Sequence, residues 1–475
     1  MIEISASKIP EREKKDHFST NSDNCEINID NNSKKYLITP DFEPMIKIIY
    51  WNSLGFFFFG FIIPWVTAQL MDASGTELGF VVASQTVGGL ISSPIVGYLT
   101  DKISKKKLVL IGSTGRGFAY VIMYFGICFT SIYVFAIGIF IQGLTVGYFW
   151  TPLNALIAQK SHKTYRASAF GKQGGMIGKG NLVGSIITFS YFGLMNFLVP
   201  NQIWLIYIPL LFYMCFNVFA GLKFYHEVDE KLTFDNYIKS LKDSSLAHLI
   251  DSTEEIMVRG DKNQAEIQPS VARKGLIIGL TFLMFAFFVA AINQSLTRPF
   301  LQVFLTETMQ IQNGFIVMLI YFPSEVLSQL LAPKLGEQAD KLNASIGVVI
   351  ISGFGALITW FLISTNSPII FGLILIFDTT FAWGGNLIFQ NLLSRVSKNN
   401  RGKVFGLQNW ITLLGAVAGP ILGGLLWDNF THKTPFLMSI FIELLLIPLF
   451  LLAIYKLNPF IEEKIDKKKT RDLIK

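Results

Sequence analysis

Long apolar runs dominate this sequence and limit what it can fold into. Roughly twelve of them, at 46–71, 77–99, 107–129, 131–158, 173–196, 201–222, 275–297, 314–333, 344–364, 367–391, 404–427 and 435–456, each reach about 20 residues or more, enough for a helix to cross ~30 Å of hydrocarbon. Of the 475 residues, 51% are hydrophobic and only 15% are charged, too few to cover a water-soluble surface of this size. The expected fold class is therefore all-α integral membrane with twelve transmembrane helices. Breaks near Ser131, Asn201 and Asn366 are very short, so the runs on either side are antiparallel. Trp51, Trp204 and Trp427 fall near run ends, where an interfacial ring is comfortable.

The charges between the runs predict orientation. Asp101 followed by Lys102, Lys105, Lys106 and Lys107 cannot lie in hydrocarbon, so this stretch is a short surface loop. Lys and Arg crowd alternate loops: this one, then Lys160, Lys163, Arg166 and Lys172, then Lys334 and Lys341, then Arg395, Lys398, Arg401 and Lys403. The opposite loops hold only Arg298 and Lys433. Positive residues favour the cytoplasmic side, which predicts a multi-pass protein of the cytoplasmic (plasma) membrane with both termini in the cytoplasm. The net charge of +7 then reflects topology and lipid headgroups. No basic stretch interleaves with aromatics as nucleic-acid binding requires.

Residues 1–44 are polar, lack the apolar core of a cleaved signal and read as a disordered cytoplasmic tail. The first run then acts as its own uncleaved signal. Cys25, Cys128 and Cys215 suggest neither a disulfide framework nor a metal cluster. The polar interruption at 223–274 reads as a cytoplasmic loop. Within it, Phe234, Ile238, Leu241, Leu249 and Ile250 fit an amphipathic helix lying on the membrane surface. A basic tail follows at 457–475.

The chain repeats itself. Pro64, Gly79 and Phe80 recur 235 positions later as Pro299, Gly314 and Phe315, and Arg166, Phe170, Gly171, Gln173 and Gly184 recur at the same shift as Arg401, Phe405, Gly406, Gln408 and Gly419. Pro94, Gly97 and Asp101 map to Pro333, Gly336 and Asp340, about one helical turn further on. Two pseudo-symmetric six-helix bundles (6+6), at 45–222 and 275–456, follow from this. Such repeats place the substrate site between the halves, near the bilayer midplane.

Gly97, Asp101, Lys102, Ser104, Lys105 and Lys106 resemble the cytoplasmic loop motif of the major facilitator superfamily, and with the 6+6 repeat the resemblance covers 46–456. It implies alternating access, in which two bundles rock about a central site and move one small solute per cycle. In overall texture the chain is nearest the drug-exporter-like branch. Two departures from that branch's antiporter pattern stand out. Ser185 occupies the proline position of the fifth run, and Ile139 occupies the arginine position ahead of Gln142-Gly143. The resemblance also makes Gly97, Asp101, Lys105, Lys106, Gly336, Asp340, Arg166 and Arg401 the conformational switch. Asp101 is expected to meet the N-terminal end of the eleventh run, near Arg401 and Lys403, when the inner gate shuts.

An ionisable group at bilayer depth costs about 2.5–3.5 kcal/mol and should face a cavity or a partner. Arg116 is roughly 14 Å into the third run. Glu325, Asp378 and Glu443 are also near mid-run, whereas Lys179 is close enough to a run end to snorkel. Asp378 and Glu325 are the proton-coupling candidates, with a fixed Glu325–Arg116 pair as the alternative. Glu443 is expected at the bundle edge. The substrate-cavity candidates are Arg116, Asn52, Gln142, Trp150, Asn293, Gln294, Trp383 and Asn386, a mixture of amides and aromatics suited to an amphipathic solute. A positive centre at Arg116 would instead favour an anionic one.

His17, His162, His226, His248 and His432 all lie in polar segments, and no phosphate-binding glycine loop appears. The sequence suggests no enzyme, catalytic residue, cofactor or metal. The expected function is secondary active transport of a small organic solute by a monomer in contact with membrane lipid, as proton-linked export of an amphipathic compound. Alternatives are uptake, by a symporter or facilitator, of a sugar or organic acid, and a transporter-like sensor or scaffold acting through 223–274.

Overall fold

The computed structural model describes residues 37–162, 165–242, 271–311, 313–341, 344–396 and 401–457. The protein is all-α. In chain order the helices are α1 (Phe42–Ser53), α2 (Phe56–Trp65), α3 (Gly75–Lys102), α4 (Lys105–Cys128), α5 (Ile132–Gln159), α6 (Arg166–Leu198), α7 (Ile203–Ile206) and α8 (Pro209–Glu227). They continue with α9 (Phe234–Lys242), α10 (Val271–Thr297), α11 (Phe300–Glu307), α12 (Gly314–Lys341), α13 (Ala344–Ser364), α14 (Pro368–Val396), α15 (Arg401–Asn429) and α16 (Thr434–Leu457). Among the described residues, 10 helical segments are long and apolar enough to cross a membrane, and two shorter apolar stretches lie at Gly314–Ser328 and Pro368–Ala382.

The seventh run does not stop at residue 297. It breaks at Arg298-Pro299 and continues as α11, so the apolar segment spans Leu276–Glu307. Arg298 is thus no loop residue, and the sequence expectation for it is corrected. The first run is broken as well. Gly55 adopts φ 87° between α1 and α2, in the left-handed region that favours glycine, and a Cβ there would run into the Tyr213 ring. Residues 42–44, expected in a disordered tail, form the first turn of α1.

The apolar cores divide the molecule by height. The turns before α3, α5, α12 and α16 lie at the end away from residues 37 and 457, called here the distal end. There one core takes side chains from both halves of the chain: Phe58, Phe61 and Phe192 from the first, Phe304, Tyr321 and Phe371 from the second. Toward the terminal end the cores separate. Phe42, Phe149, Leu156 and Phe224 pack in the first half, and Leu283, Phe287, Phe450 and Leu457 in the second. A Cβ added to Gly97, Gly171, Gly174, Gly175 or Gly406, all toward the terminal end, would meet nothing within 4 Å.

Candidate solute cavity

Below the distal seal lies a cavity of about 400 Å³. Phe56, Phe59, Gly60, Ile63 and Pro64 line it from α2, and Val82, Gln85 and Thr86 from α3. From α5 come Gln142, Val146 and Trp150, from the α10–α11 break Ser295, Arg298 and Pro299, and from α15 Ala416 and Pro420. Three of these residues are prolines. Each lacks the N–H that would bond the carbonyl four residues back, and those carbonyls belong to Gly60, Ser295 and Ala416, which also line the cavity. Gly60 O accepts from Gln302 Nε2 of the other half at 3.3 Å. Gly143 explains the Gln-Gly pair of α5, because its bare Cα lets that helix press onto the α3 backbone at Gln85. The adjacent Gln142 then accepts a 2.7 Å hydrogen bond from Gln85 Nε2.

Arg298 is the one charged side chain among the described residues that line the cavity. Its Nη2 donates to Glu325 Oε1 at 3.2 Å, and the Tyr321 hydroxyl donates to the same oxygen at 3.2 Å. The pair is lopsided. The Glu325 side chain is 6% exposed and that of Arg298 is 49% exposed, a surface that faces the cavity. Asp378 on α14 lies within electrostatic reach of Arg298, and Glu443 on α16 within reach of Asp378. Asn293 Nδ2 donates to Glu443 Oε1 at 3.4 Å.

This geometry revises several expectations. Glu325 pairs with Arg298, not with Arg116. Arg116 is fully buried inside the first half, where Nη1 donates to Asn52 Oδ1 at 2.8 Å. Asn52 in turn donates to Asn217 Oδ1 at 3.0 Å. The Arg116 guanidinium lies 5.5 Å from the ring centroids of both Phe56 and Phe149. Phe56 reaches the cavity, so its ring screens the charge from it. Arg116 and Asn52 therefore belong to a buried polar knot and are not cavity walls. Asn293 turns to Glu443 instead of the cavity, and Gln294 is exposed and outside the lining. Glu443 is not at a bare edge, since its Oε2 is buried and lacks a partner among the described residues. The side chains of Trp383, Asn386, Asp340 and Arg401, and the surroundings of Gly336, lie outside the described residues.

Sequence reading missed Arg298, Gln85, Tyr321 and Asn217. For Arg298 a signal existed. Pro299 repeats Pro64, which stands inside a run, so the repeat places Arg298 inside one as well.

The start of α4, at Lys105 and Lys106, is held by the segment that follows α8. Glu230 accepts from the Ser104 hydroxyl and, at 2.8 Å, from Lys105 N, covering the start of α4. The Lys106 ammonium sits 5.1 Å from the Tyr225 ring centroid. Asp101 is exposed, as is Arg166, whose Nε donates to Ala158 O at 3.1 Å. Nearby, Lys160 Nζ donates to Asp41 Oδ2 at 2.7 Å and to the carbonyls of Asp229 and Leu232 at 2.6 and 2.8 Å. Burial lowers the pKa of this ammonium despite Asp41. Phe234 of α9 is buried against the protein beside His162, not spread on a membrane surface.

Comparison with known proteins gives a consistent picture. The sequence model of the Major Facilitator Superfamily matches residues 51–395 and again 283–475. Multidrug resistance protein 2 of Bacillus subtilis (strain 168) is 24% identical over 396 residues, covering 81% of this chain and 88% of that protein. Quinolone resistance protein NorA of Staphylococcus aureus is 30% identical over 142 residues, which is 29% of this chain and 36% of the relative. Among solved structures, a D-xylose-proton symporter superposes with a TM-score of 0.60 at 16% identity, covering 85% of this chain and 97% of that one. The nucleoside transporter NupG gives 0.57 at 14% identity, covering 87% and 98%. At such identities the structural likeness establishes the fold alone.

Proposed function

Since the chain belongs to the major facilitator superfamily, we propose that it is a proton-linked exporter of a small amphipathic organic solute, working by alternating access through the central cavity. In this reading twelve crossings form two six-helix halves, with the terminal end and both termini in the cytoplasm. The conformation described, sealed distally and split toward the termini, is then inward-open. The solute lies against Phe56, Phe59 and Trp150 and bonds to Gln85, Gln142 and the carbonyls freed by the prolines. Likeness to two resistance proteins supports export as the direction.

The observation that carries the proton link is the Arg298–Glu325 pair at the cavity wall, with Asp378 in its field. A proton arriving on Glu325 neutralises the carboxylate and weakens its hold on Arg298 Nη2. The guanidinium is then free to turn into the cavity and displace the solute, so proton occupancy and solute binding exclude one another, as exchange of an inward proton for an exported solute requires. Asp378 is the second proton site, exchanging with whichever side is open.

Asp378→Asn in proteoliposomes is expected to abolish solute movement driven by a pH gradient while solute counterflow, which needs no gradient, continues. Unchanged gradient-driven rates would sink the proton role, and loss of both would point to a broken binding site. A second reading, uptake of an organic acid, is favoured by one observation, the half-exposed Arg298 side chain in the cavity. Counterflow driven by a carboxylate solute but not by its amide would favour that reading over the first.

A further inference from the structure

The packed pair α3 and α15 joins the two halves, one helix from each. At the distal end the Asp428 side chain fastens it. Asp428, in the last turn of α15, accepts from Gly75 N at 2.8 Å through Oδ1 and from Thr76 N at 2.7 Å through Oδ2. Oδ2 also takes the Thr76 hydroxyl at 2.5 Å. These are the first two amides of α3, which have no acceptor within their own helix. The third, Glu77 N, is taken by the Ser74 hydroxyl at 3.2 Å in a capping box. The α3 N-terminus is thus completed only by a carboxylate from the other half, placed where the helix dipole favours negative charge. Behind it, Trp427 donates to Glu307 at 3.3 Å and stacks on Phe300 at 5.2 Å, fixing the neighbouring position. Gly424 lets the α15 backbone approach that of Gly75.

We infer that Asp428 is the latch that holds the distal gate shut, a positioning residue for the transport cycle that acts through the α3 N-terminus. Opening the distal end must pull Asp428 from Gly75 and Thr76 and hand both amides to water. The same helix pair carries Asp101 in the last turn of α3, at the opposite end. Because α3 and α15 run antiparallel, Asp101 stands at the end of α3 that lies away from the Asp428 contact. The distal contact is made here, whereas Asp101 is exposed.

This inference rests on the alternating-access reading, and its test separates the two. In the full chain, with Cys25, Cys128 and Cys215 replaced by serine, spin-label pairs are attached at Tyr133→Cys with Ile369→Cys (distal) and at Tyr98→Cys with Tyr455→Cys (terminal). Distance distributions are measured in lipid nanodiscs. Asp428→Asn is expected to raise the distal-open population about tenfold, with the terminal pair closing in step. Thr76→Val should give a smaller shift in the same direction, and Asp428→Glu should recover part of the closed population. An unchanged distal distribution would overturn the latch, as would distal widening without terminal closure, which marks mere loosening. If neither pair shows two distances in any variant, the alternating-access reading fails with it.

Discussion

Arg116 carries a positive charge in the interior of the first half, and among the described residues its hydrogen bonds go to amides. Nη1 bonds Asn52, and Asn217 is the next acceptor, at 3.5 Å. Two aromatic faces supply the rest of the stabilisation. Its role is to tie α1, α4 and α8 together, so Arg116→Met should act on stability. We expect a loss of about 2 kcal/mol, read as a lower melting temperature in detergent, with solute affinity of the folded fraction within about twofold of wild type. A large affinity loss at unchanged melting temperature would put Arg116 back in the cavity. The sequence disclosed that this charge was too deep to snorkel, but not where its partners were. Asn52 and Asn217 lie 64 and 101 positions away, and nothing local marks them. Arg298 shows the opposite case, because its place inside a run was readable from the repeat of Pro64 as Pro299.

Among the elements, α4 shows how a helix can borrow its start from distant sequence. Ser104 and Lys105 are covered by Glu230, which follows α8. Burial alone would raise the Glu230 carboxyl's pKa. The Ser104 hydroxyl, the Lys105 and Lys106 amides and the Lys105 ammonium outweigh burial and hold it below the ordinary carboxylate value. Since the folded pKa lies below the unfolded one, the cap contributes fully above about pH 4 and is lost as pH falls through the folded value. Glu230→Gln should therefore speed amide exchange in the first turn of α4 at neutral pH, by about fivefold for a cap worth ~1 kcal/mol. As pH falls through the folded value the variant and wild type should converge, and a ratio that stays constant down to full protonation of the carboxyl would refute the assignment. Helix spans were the most legible level of structure, because lipid-length apolar runs leave few alternatives. The breaks at Gly55 and Arg298-Pro299 were not, because a kinked helix stays apolar throughout and hydropathy does not register it.

For the whole molecule, the contacts that join the halves cluster at one end. Gly79 meets the Pro420 carbonyl, Gly193 meets Phe315, and Gln69 bonds Thr306 at 2.8 Å. A Cβ on Gly424 would lie 2.7 Å from the Thr76 Cα, too close for distal closure. Gly424→Val is expected to trap the distally open form and to lower transport by tenfold or more, with a near-normal melting temperature, because the clash exists only in the closed form. Transport assays paired with thermal unfolding check this, and normal transport would show the seal to be dispensable. The repeat pointed to a site between two halves, but not to which end was shut. That depends on contacts made by glycines and prolines, whose meaning lies in backbone approach and not in hydropathy.

The grip of Lys160 on Asp41 and on the carbonyls of Asp229 and Leu232 has a consequence for biosynthesis. The terminal face of the first half is not finished when α8 leaves the ribosome. It waits for residues 229–234, which supply two acceptors, the α4 cap and the buried Phe234. Two co-expressed fragments divided between 242 and 271 should then assemble into a transporting protein. A division directly after Glu227 should yield a first fragment that is degraded or inactive, and equal activity from both divisions would show that the half matures without this segment.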